Sequence, residues 1–376
     1  MSEYIVSIPS DITDLENGNI FNYQIAQNFP GALWAYYFKK RLEGSSVIVN
    51  TADIILKMVK ANKIDPKKVY VISHNFDYAS CCLVALGCQG VLCFNLESPL
   101  YSQVFFKDKK MRNFHGFRYV ISFGDNWPNT KNKFCFPSYD SELSRLSTFN
   151  SDIRKKRASF VVSNKHVPFF YKTNVPLYWR IYEKIWLYKT FKSFAWSVTE
   201  LGQSLQIERL EIIDYFMSLE MIDVYGRGWD RPINHPKRIL PRSMRKKTKM
   251  YFEEINDKLG TISNYEYNFC VENFKMDGYV TEKIIDSFVA GCIPLYCGPG
   301  DAIDYIDKNS FINISCFGSF KELALYITSM SKEEKKHILS AGQEFLNSTD
   351  NGFSFQRFSE NIHNVILNYR SEVLKS

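Results

Sequence analysis

Ionisable and polar side chains crowd into one short stretch, Glu272-Asn273-Phe274-Lys275-Met276-Asp277-Gly278-Tyr279-Val280-Thr281-Glu282-Lys283. The apolar run 267–271 precedes it and the apolar run 284–290 follows it, so the cluster lies between a strand end and a helix start. A helix amino end offers unpaired N–H groups and a partial positive charge, both suited to phosphate. Thr281 is placed to cap that helix, and Glu282 to favour its first turn through the dipole. A capped helix behind a polar loop is the plain alternative. It accounts for Thr281 and Glu282 but leaves Glu272, Asn273, Tyr279 and Lys283 gathered without a reason. The next segment, residues 291–300, reads as a strand closed by Gly298-Pro299-Gly300. That turn lets backbone approach a ligand, or is only a tight connection. Gly226-Arg227-Gly228 is a faint echo of a dinucleotide fingerprint without its third glycine, and no Walker loop occurs.

These groups need a scaffold, and the chain supplies an alternating one. Strand-like runs are expected at 4–8, 46–49, 69–73, 91–95, 118–123, 159–163, 222–225, 268–271, 293–296 and 311–314. Several are continuously apolar, as in Val69-Tyr70-Val71-Ile72, which suits parallel strands covered on both faces. Helices are expected at 52–61, 209–219, 281–290 and 320–330. The alternation predicts an α/β fold with parallel sheets, whose ligands sit at the carboxyl ends of the strands.

With 376 residues, 45% hydrophobic and 23% charged, the chain has material for two globular domains rather than a disordered state. The balance of 47 Lys and Arg against 40 Asp and Glu gives +7, too mild by itself to imply nucleic acid. The first ten residues show no basic-then-apolar leader, so no signal peptide is expected. The uncharged stretch 79–96 contains two glycines and four cysteines, and reads as helix, turn and strand rather than a membrane span. Nine cysteines without a CxxC pair fit reduced packing residues in a cytoplasmic protein, and six scattered histidines add no zinc signature.

Four consecutive basic residues at 154–157 precede a new strand, and the domain junction is expected there. Two charged stretches keep two readings each. Residues 237–249 carry seven basic residues and no acid, as a solvated loop or as a positive rim for an anionic donor or phospholipid. From Lys172 to Val198, Trp, Tyr and Phe alternate with five basic residues and one acid, as a core-packing insert or an interfacial segment.

At the polar cluster the chain resembles the α-1,3-fucosyltransferases of glycosyltransferase family 10. The family signature reads F-x-x-x-F-E-N, five residues, Y-[IV]-T-E-K, an apolar helix, P-[VIL]-x-x-G and later S-F-I. This chain has VEN at 271–273, the same gap, YVTEK at 279–283, IPLYCG at 293–298 and SFI at 310–312. Valine stands before Glu272 where the family has Phe. Asn95-Leu96-Glu97-Ser98-Pro99 is similar to the NLESP motif of the acceptor domain. Residues 157–164, RASFVVSN, resemble the strand that opens the donor domain. In the family an Arg heading a helix follows soon after. Here the comparable helix, RLEIIDYF, begins only at Arg209, beyond the aromatic and basic insertion. The resemblance runs with gaps from about residue 91 to 314, and residues 1–90 carry none.

The resemblance implies a GT-B fold, two Rossmann-like domains with parallel sheets facing across a cleft. Residues 1–157 would bind the acceptor and 158–345 the GDP-sugar, with an insertion at about 168–205 and a helical tail at 346–376. It also implies transfer of fucose from GDP-fucose, with inversion, to a hydroxyl of an oligosaccharide or glycoconjugate, expected to be O3 of GlcNAc or Glc. Such chemistry needs a base for the acceptor proton and positive charge for the departing diphosphate. Glu97, ending the 91–95 strand, is the implied general base; the plain alternative is a Glu in a turn before Pro99. By resemblance Glu282 holds the ribose hydroxyls, Asn273 and Tyr279 line fucose and diphosphate, and Lys283 and Arg209 neutralise the leaving group. Glu272 completes the donor-binding set, with Ser163 and Asn164 as minor contacts.

No Asp-x-Asp triplet occurs, so protein cations are expected in place of a bridging metal, with Mn2+ or Mg2+ at most stimulatory and no cofactor required. The expected partners are GDP-fucose and a glycan acceptor, with no nucleic acid and with peripheral membrane contact through residues 172–198. Two other functions stay open: the same fold with a different GDP-sugar, and a non-catalytic glycan- or nucleic-acid-binding protein on this scaffold.

Overall fold

A computed structural model describes residues 4–10, 12–29, 31–141, 154–163, 202–227, 251–252, 255–348 and 351–375. Asn164, the aromatic stretch 172–198 and the basic stretch 237–249 lie outside the described residues. The chain divides into two compact units, Met1–Ser141 with Asn351–Ser376, and Glu142–Asp350.

The first unit alternates strand and helix: β1 (Tyr4–Ile8), α1 (Trp34–Arg41), β2 (Val47–Thr51), α2 (Ala52–Lys60), β3 (Val69–His74), α3 (Tyr78–Ala85), β4 (Gln89–Phe94), α4 (Gln103–Lys110) and β5 (Tyr119–Ile121). The five strands form one sheet in the order β2-β1-β3-β4-β5, parallel throughout. Their apolar runs are buried as expected: Val69, Val71, Ile72, Val91, Leu92 and Cys93 have no exposure. The stretch 79–96 resolves into α3, a turn and β4, and no helix among the described residues is long and apolar enough to cross a membrane.

The second unit holds β6 (Lys155–Val161), β7 (Gln203–Ser204), α5 (Gln206–Ser218), β8 (Ile222–Tyr225), β9 (Tyr251–Phe252), α6 (Lys258–Ile262), β10 (Tyr265–Val271), β11 (Phe274–Lys275), α7 (Glu282–Val289), β12 (Ile293–Cys297), β13 (Ile312–Asn313), α8 (Phe320–Ser329) and α9 (Lys332–Asn347). Six strands pair in parallel in the order β13-β12-β10-β6-β8-β9. Three lie to one side of β6 in reverse order and two to the other, the doubly wound arrangement that reverses between β6 and β10. Phe160, Phe216 and Phe269 meet at its centre, with Phe216 and Phe269 ring centroids 4.9 Å apart. The short β7 and β11 pair antiparallel as a separate ribbon.

The expected junction at 157/158 falls inside β6. The basic run 154–157 leads into a central strand, and both of its arginines have partners there. The Arg154 guanidinium donates to the carbonyls of Tyr265, Ala290 and Gly291, and Arg157 pairs with Asp223 at 2.8 Å. Nor are residues 346–376 a separate tail. α9 ends the second unit at Asn347, and α10 (Phe355–Val373) returns to the first. Phe358 on α10 is fully buried against Phe94, Trp34 and Trp127, with centroids 5.5, 5.6 and 5.1 Å away. Ser359 donates to the carbonyl of Trp34 at 2.6 Å.

Candidate active site

The order reversal between β6 and β10 places their carboxyl ends where doubly wound sheets bind ligands. Glu272 is the first residue beyond β10, and its backbone N–H donates to the carbonyl of Cys297 at 2.8 Å. Its side chain has no solvent exposure, so every lone pair must find a donor within the protein. Oε1 accepts the backbone N–H of Thr281 at 2.8 Å. Oε2 accepts the Thr281 hydroxyl at 2.7 Å and the Lys283 ammonium at 3.0 Å. Thr281 does occupy the N-cap position of α7, but its hydroxyl makes no capping bond. The hydroxyl instead donates to the buried carboxylate, and its oxygen accepts from the Lys283 ammonium at 2.7 Å, a charged donor that takes the place of a helix N–H. The capping expectation is therefore corrected: strand end and helix start are tied through Glu272.

Charge at this junction is balanced locally. Lys283 Nζ also lies 2.7 Å from Thr281 Oγ1 and 3.4 Å from Glu282 Oε1. Burial works against its charge, yet Glu272 and Glu282 hold the ammonium above its ordinary range. Burial likewise opposes ionisation of Glu282, but Lys283 and Lys258 bring its carboxyl down to about 2. Lys258, at the start of α6, lies 2.5 Å from Asp286 and 3.9 Å from Glu282. Burial pushes the Asp286 carboxyl up, against the pull of Lys258. Lys258 and Asp286 have no place in the motif reading. The one local signal was Asp257, which caps α6 by accepting the Gly260 N–H at 2.9 Å and so sets Lys258 at the helix start.

Arg209 reaches the same place from α5. It lies in the first turn of that helix, 4% exposed, and donates to the carbonyl of Val271, the last residue of β10. The ribbon fixes the approach, since the Leu205 N–H donates to the Asn273 carbonyl at 3.2 Å. Asn273 Nδ2 donates to the hydroxyl of buried Tyr279 at 3.3 Å. The intervening loop turns at Gly278, with φ 72°, whose N–H is received by both carboxylate oxygens of Asp301 at 3.1 and 2.9 Å.

Ser163 lies just beyond β6, beside Gly226 at the end of β8. Gly226 has φ 128°, and a Cβ there would stand 2.3 Å from the Val162 carbonyl oxygen, so only glycine allows the two strand ends to come so close. In the Gly-Pro-Gly turn a Cβ on Gly298 would lie 2.2 Å from the buried Tyr296 hydroxyl, so the turn accommodates a side chain of its own strand. A cavity of about 430 Å³ lined by Phe311, Phe317, Tyr326 and Ile338 shares none of the candidate residues. Among the described residues, no three His, Cys, Asp or Glu side chains are grouped as metal ligands.

The structure thus brings Glu272, Asn273, Tyr279, Glu282, Lys283 and Arg209 together at the end of β10, with Ser163 at the neighbouring strand end. Glu97 belongs to the first unit. It follows β4 as an exposed residue between buried neighbours, and its N–H donates to the side-chain oxygen of Asn95 at 2.8 Å.

Residues 187–339 match the model of the glycosyltransferase family 10 (fucosyltransferase) C-terminal domain, and that span contains every member of the cluster around Glu272. Over that span the chain is similar to the glycosyltransferase family 10 domain. It is 32% identical over 96 residues to an α-(1,3)-fucosyltransferase of Helicobacter pylori, covering 26% of this chain and 20% of that protein. It is 36% identical over 90 residues to a mouse 4-galactosyl-N-acetylglucosaminide 3-α-L-fucosyltransferase, covering 23% and 25%. An Arabidopsis thaliana α-(1,4)-fucosyltransferase matches at 33% over 72 residues, covering 19% and 18%. The aligned segments thus span a quarter or less of these family members. A crystal structure of an α1,3-fucosyltransferase superposes with a TM-score of 0.51 at 15% identity, covering 96% of this chain and 90% of that one. The fold is shared: two α/β units with parallel sheets, the GT-B type.

Proposed function

We propose that this chain transfers fucose from GDP-fucose to a glycan hydroxyl, O3 of GlcNAc or Glc, with inversion and without a required metal. The convergence of Arg209, Glu282 and Lys283 on the carboxyl end of β10 carries the reading, supported by the family match over that span. Glu97 takes the acceptor hydroxyl's proton as the oxygen attacks the anomeric carbon. The bond to the diphosphate breaks on the opposite face, and its electron pair leaves with the phosphate oxygen. Lys283, Arg209 and the first N–H groups of α7 offset that charge. The 3.4 Å contact to Glu282 is the longest that Lys283 makes, and it is the one a phosphate oxygen replaces, freeing Glu282 for the ribose hydroxyls. Asn273, Tyr279 and Ser163 complete the donor side. The nine cysteines stand as thiols, which supports a cytoplasmic setting.

The test is a panel of GDP-fucose, GDP-mannose and GDP-glucose, each offered with galactosyl-β-1,4-N-acetylglucosamine, with and without EDTA. The expected result is one deoxyhexose added from GDP-fucose alone, α-linked by proton coupling, with the rate retained in EDTA. Product from another GDP-sugar would reassign the donor. Activity lost in EDTA and restored by Mn2+ would remove the metal-free mechanism. No product from any donor would overturn the enzymatic reading.

A further inference from the structure

We propose that Asn95 and Asn75 are positioning residues for the Glu97 carboxylate, an inference that rests on Glu97 being the base. Asn95 is fully buried at the end of β4, its N–H on the Ile121 carbonyl at 3.2 Å. Its side-chain oxygen accepts the Glu97 N–H at 2.8 Å, which leaves its amide nitrogen to donate to Asn75 Oδ1 at 3.1 Å. One amide therefore couples the loop after β4 to the loop after β3. Asn75 is itself pinned, its N–H on the Phe94 carbonyl at 2.9 Å, the last rung between the two strands.

The β3 loop has an unusual backbone. Asn75 and Phe76 are both left-handed, at φ 54° and 55°. Two such residues in succession, neither a glycine, are uncommon and persist only where their surroundings fix them. Here the Phe76 ring packs on Phe105, His115 and Phe117 at 5.3, 4.7 and 6.1 Å, and the Asp77 N–H closes the turn on the His74 carbonyl at 3.0 Å. The far side of Glu97 is anchored as firmly. Ser98 is buried, and its carbonyl accepts the N–H groups of Tyr101 and Ser102 at 2.9 and 3.0 Å. Leu96 is buried too. Glu97 is thus the exposed residue between two buried neighbours, on a main chain held from both ends. That arrangement aims a carboxylate outward from a fixed Cα, which is what a general base requires. Asn75 keeps its backbone bond without its side chain, and the cost of alanine at its left-handed φ is read separately by melting temperature.

The experiment compares wild type, Asn75→Ala, Asn75→Asp, Asn95→Ala, the Asn75→Ala/Asn95→Ala pair and Glu97→Gln. Four properties are read: transfer to galactosyl-β-1,4-N-acetylglucosamine, GDP-fucose hydrolysis without acceptor, GDP affinity, and melting temperature. Each alanine variant should lower transfer kcat about 10–100-fold while GDP affinity and hydrolysis stay unchanged. The pair should be no worse than Asn95→Ala alone, since both act through one hydrogen bond. Asn75→Asp keeps an acceptor oxygen and should recover most of the rate. Asn75 is exposed, so its variants remain informative if Asn95→Ala fails to fold. Transfer by folded Asn75→Ala within about twofold of wild type would overturn the proposal. So would losses running in parallel through transfer, hydrolysis and GDP affinity. Full transfer by Glu97→Gln would instead remove the base assignment itself. An inactive Glu97→Gln beside fully active asparagine variants would remove only the positioning role.

Discussion

The ammonium of Lys283 lies 3.0 Å from Oε2 of Glu272, a side chain with no exposure to solvent. The motif lysine therefore closes the strand–helix junction as well as bringing positive charge to it, and its substitution has two separable effects. Lys283→Ala leaves a buried carboxyl without its counter-charge, a loss of about 3–5 kcal/mol in unfolding free energy. Lys283→Met combined with Glu272→Gln removes both charges and should recover most of that stability in urea denaturation. GDP affinity should stay low in both variants, because the phosphate has lost its cation either way. If affinity returns together with stability, Lys283 is a structural residue only.

Glu282 gives a pH signature. Its carboxyl stands at about 2 in the folded protein against an ordinary 4.5, through Lys283 and Lys258 and in spite of burial. A depressed folded value stabilises above the unfolded one, and that contribution is lost as pH falls from 4.5 towards 2. The shift corresponds to about 2–3 kcal/mol at neutral pH, given a side chain that is still partly exposed. Wild type should then exceed Glu282→Gln in stability at pH 6, and the difference should shrink on acidification to pH 3.5. A difference that does not change with pH would mean that the lysines do not act through the Glu282 charge.

Much of the scaffold was legible because parallel strands buried on both faces appear as continuous apolar runs. The strands at 69–74, 222–225 and 293–297 lie within a residue of where those runs placed them. The cluster at 272–283 was legible for a related reason: polar residues concentrated between two apolar runs can only stand at an element boundary. What Thr281 does there was not legible. Its position is that of a helix cap, and only the approach of Glu272 across nine residues diverts its hydroxyl. Lys258 comes from a different helix, so no spacing within the motif announces it. The basic run 154–157 reads as a domain junction because the partners of its two arginines, the carbonyls of Tyr265 and Ala290 and the carboxylate of Asp223, are distant in sequence. Asn75 was invisible for the same reason, its partner being twenty residues away.

The return of α10 to the first unit predicts that the carboxyl-terminal segment is required for folding. Phe358 has no exposure and fills a space walled by Phe94, Trp127 and Phe134, with centroids 5.5, 5.1 and 5.7 Å away. Phe358→Ala should cost about 3–5 kcal/mol, the transfer term plus the cavity left among rigid rings. Calorimetry should show a lowered transition, and GDP should still protect the second unit. A loss below about 1 kcal/mol would mean that the rings collapse into the gap.

Arg209 separates charge from geometry. Its guanidinium is 4% exposed and donates to the Val271 carbonyl and, at 3.4 Å, to Gln206 Oε1, so its planar fork is already held when the donor arrives. Lysine keeps the charge but cannot hold two acceptors while presenting a third N–H in the same plane. Arg209→Lys should therefore lose about 1–3 kcal/mol of stability for the buried acceptor it leaves unpaired, and about 10–100-fold in kcat/KM for GDP-fucose, the worth of one charged hydrogen bond to the leaving group. If Arg209 acts on charge developing as the diphosphate departs, the loss falls on kcat. If it holds the ground-state nucleotide, KM rises and calorimetric GDP affinity falls in proportion. A variant with unaltered kcat, KM and GDP affinity would show that Arg209 serves only to brace β10, and the leaving group's charge would then rest on Lys283 and the amino end of α7.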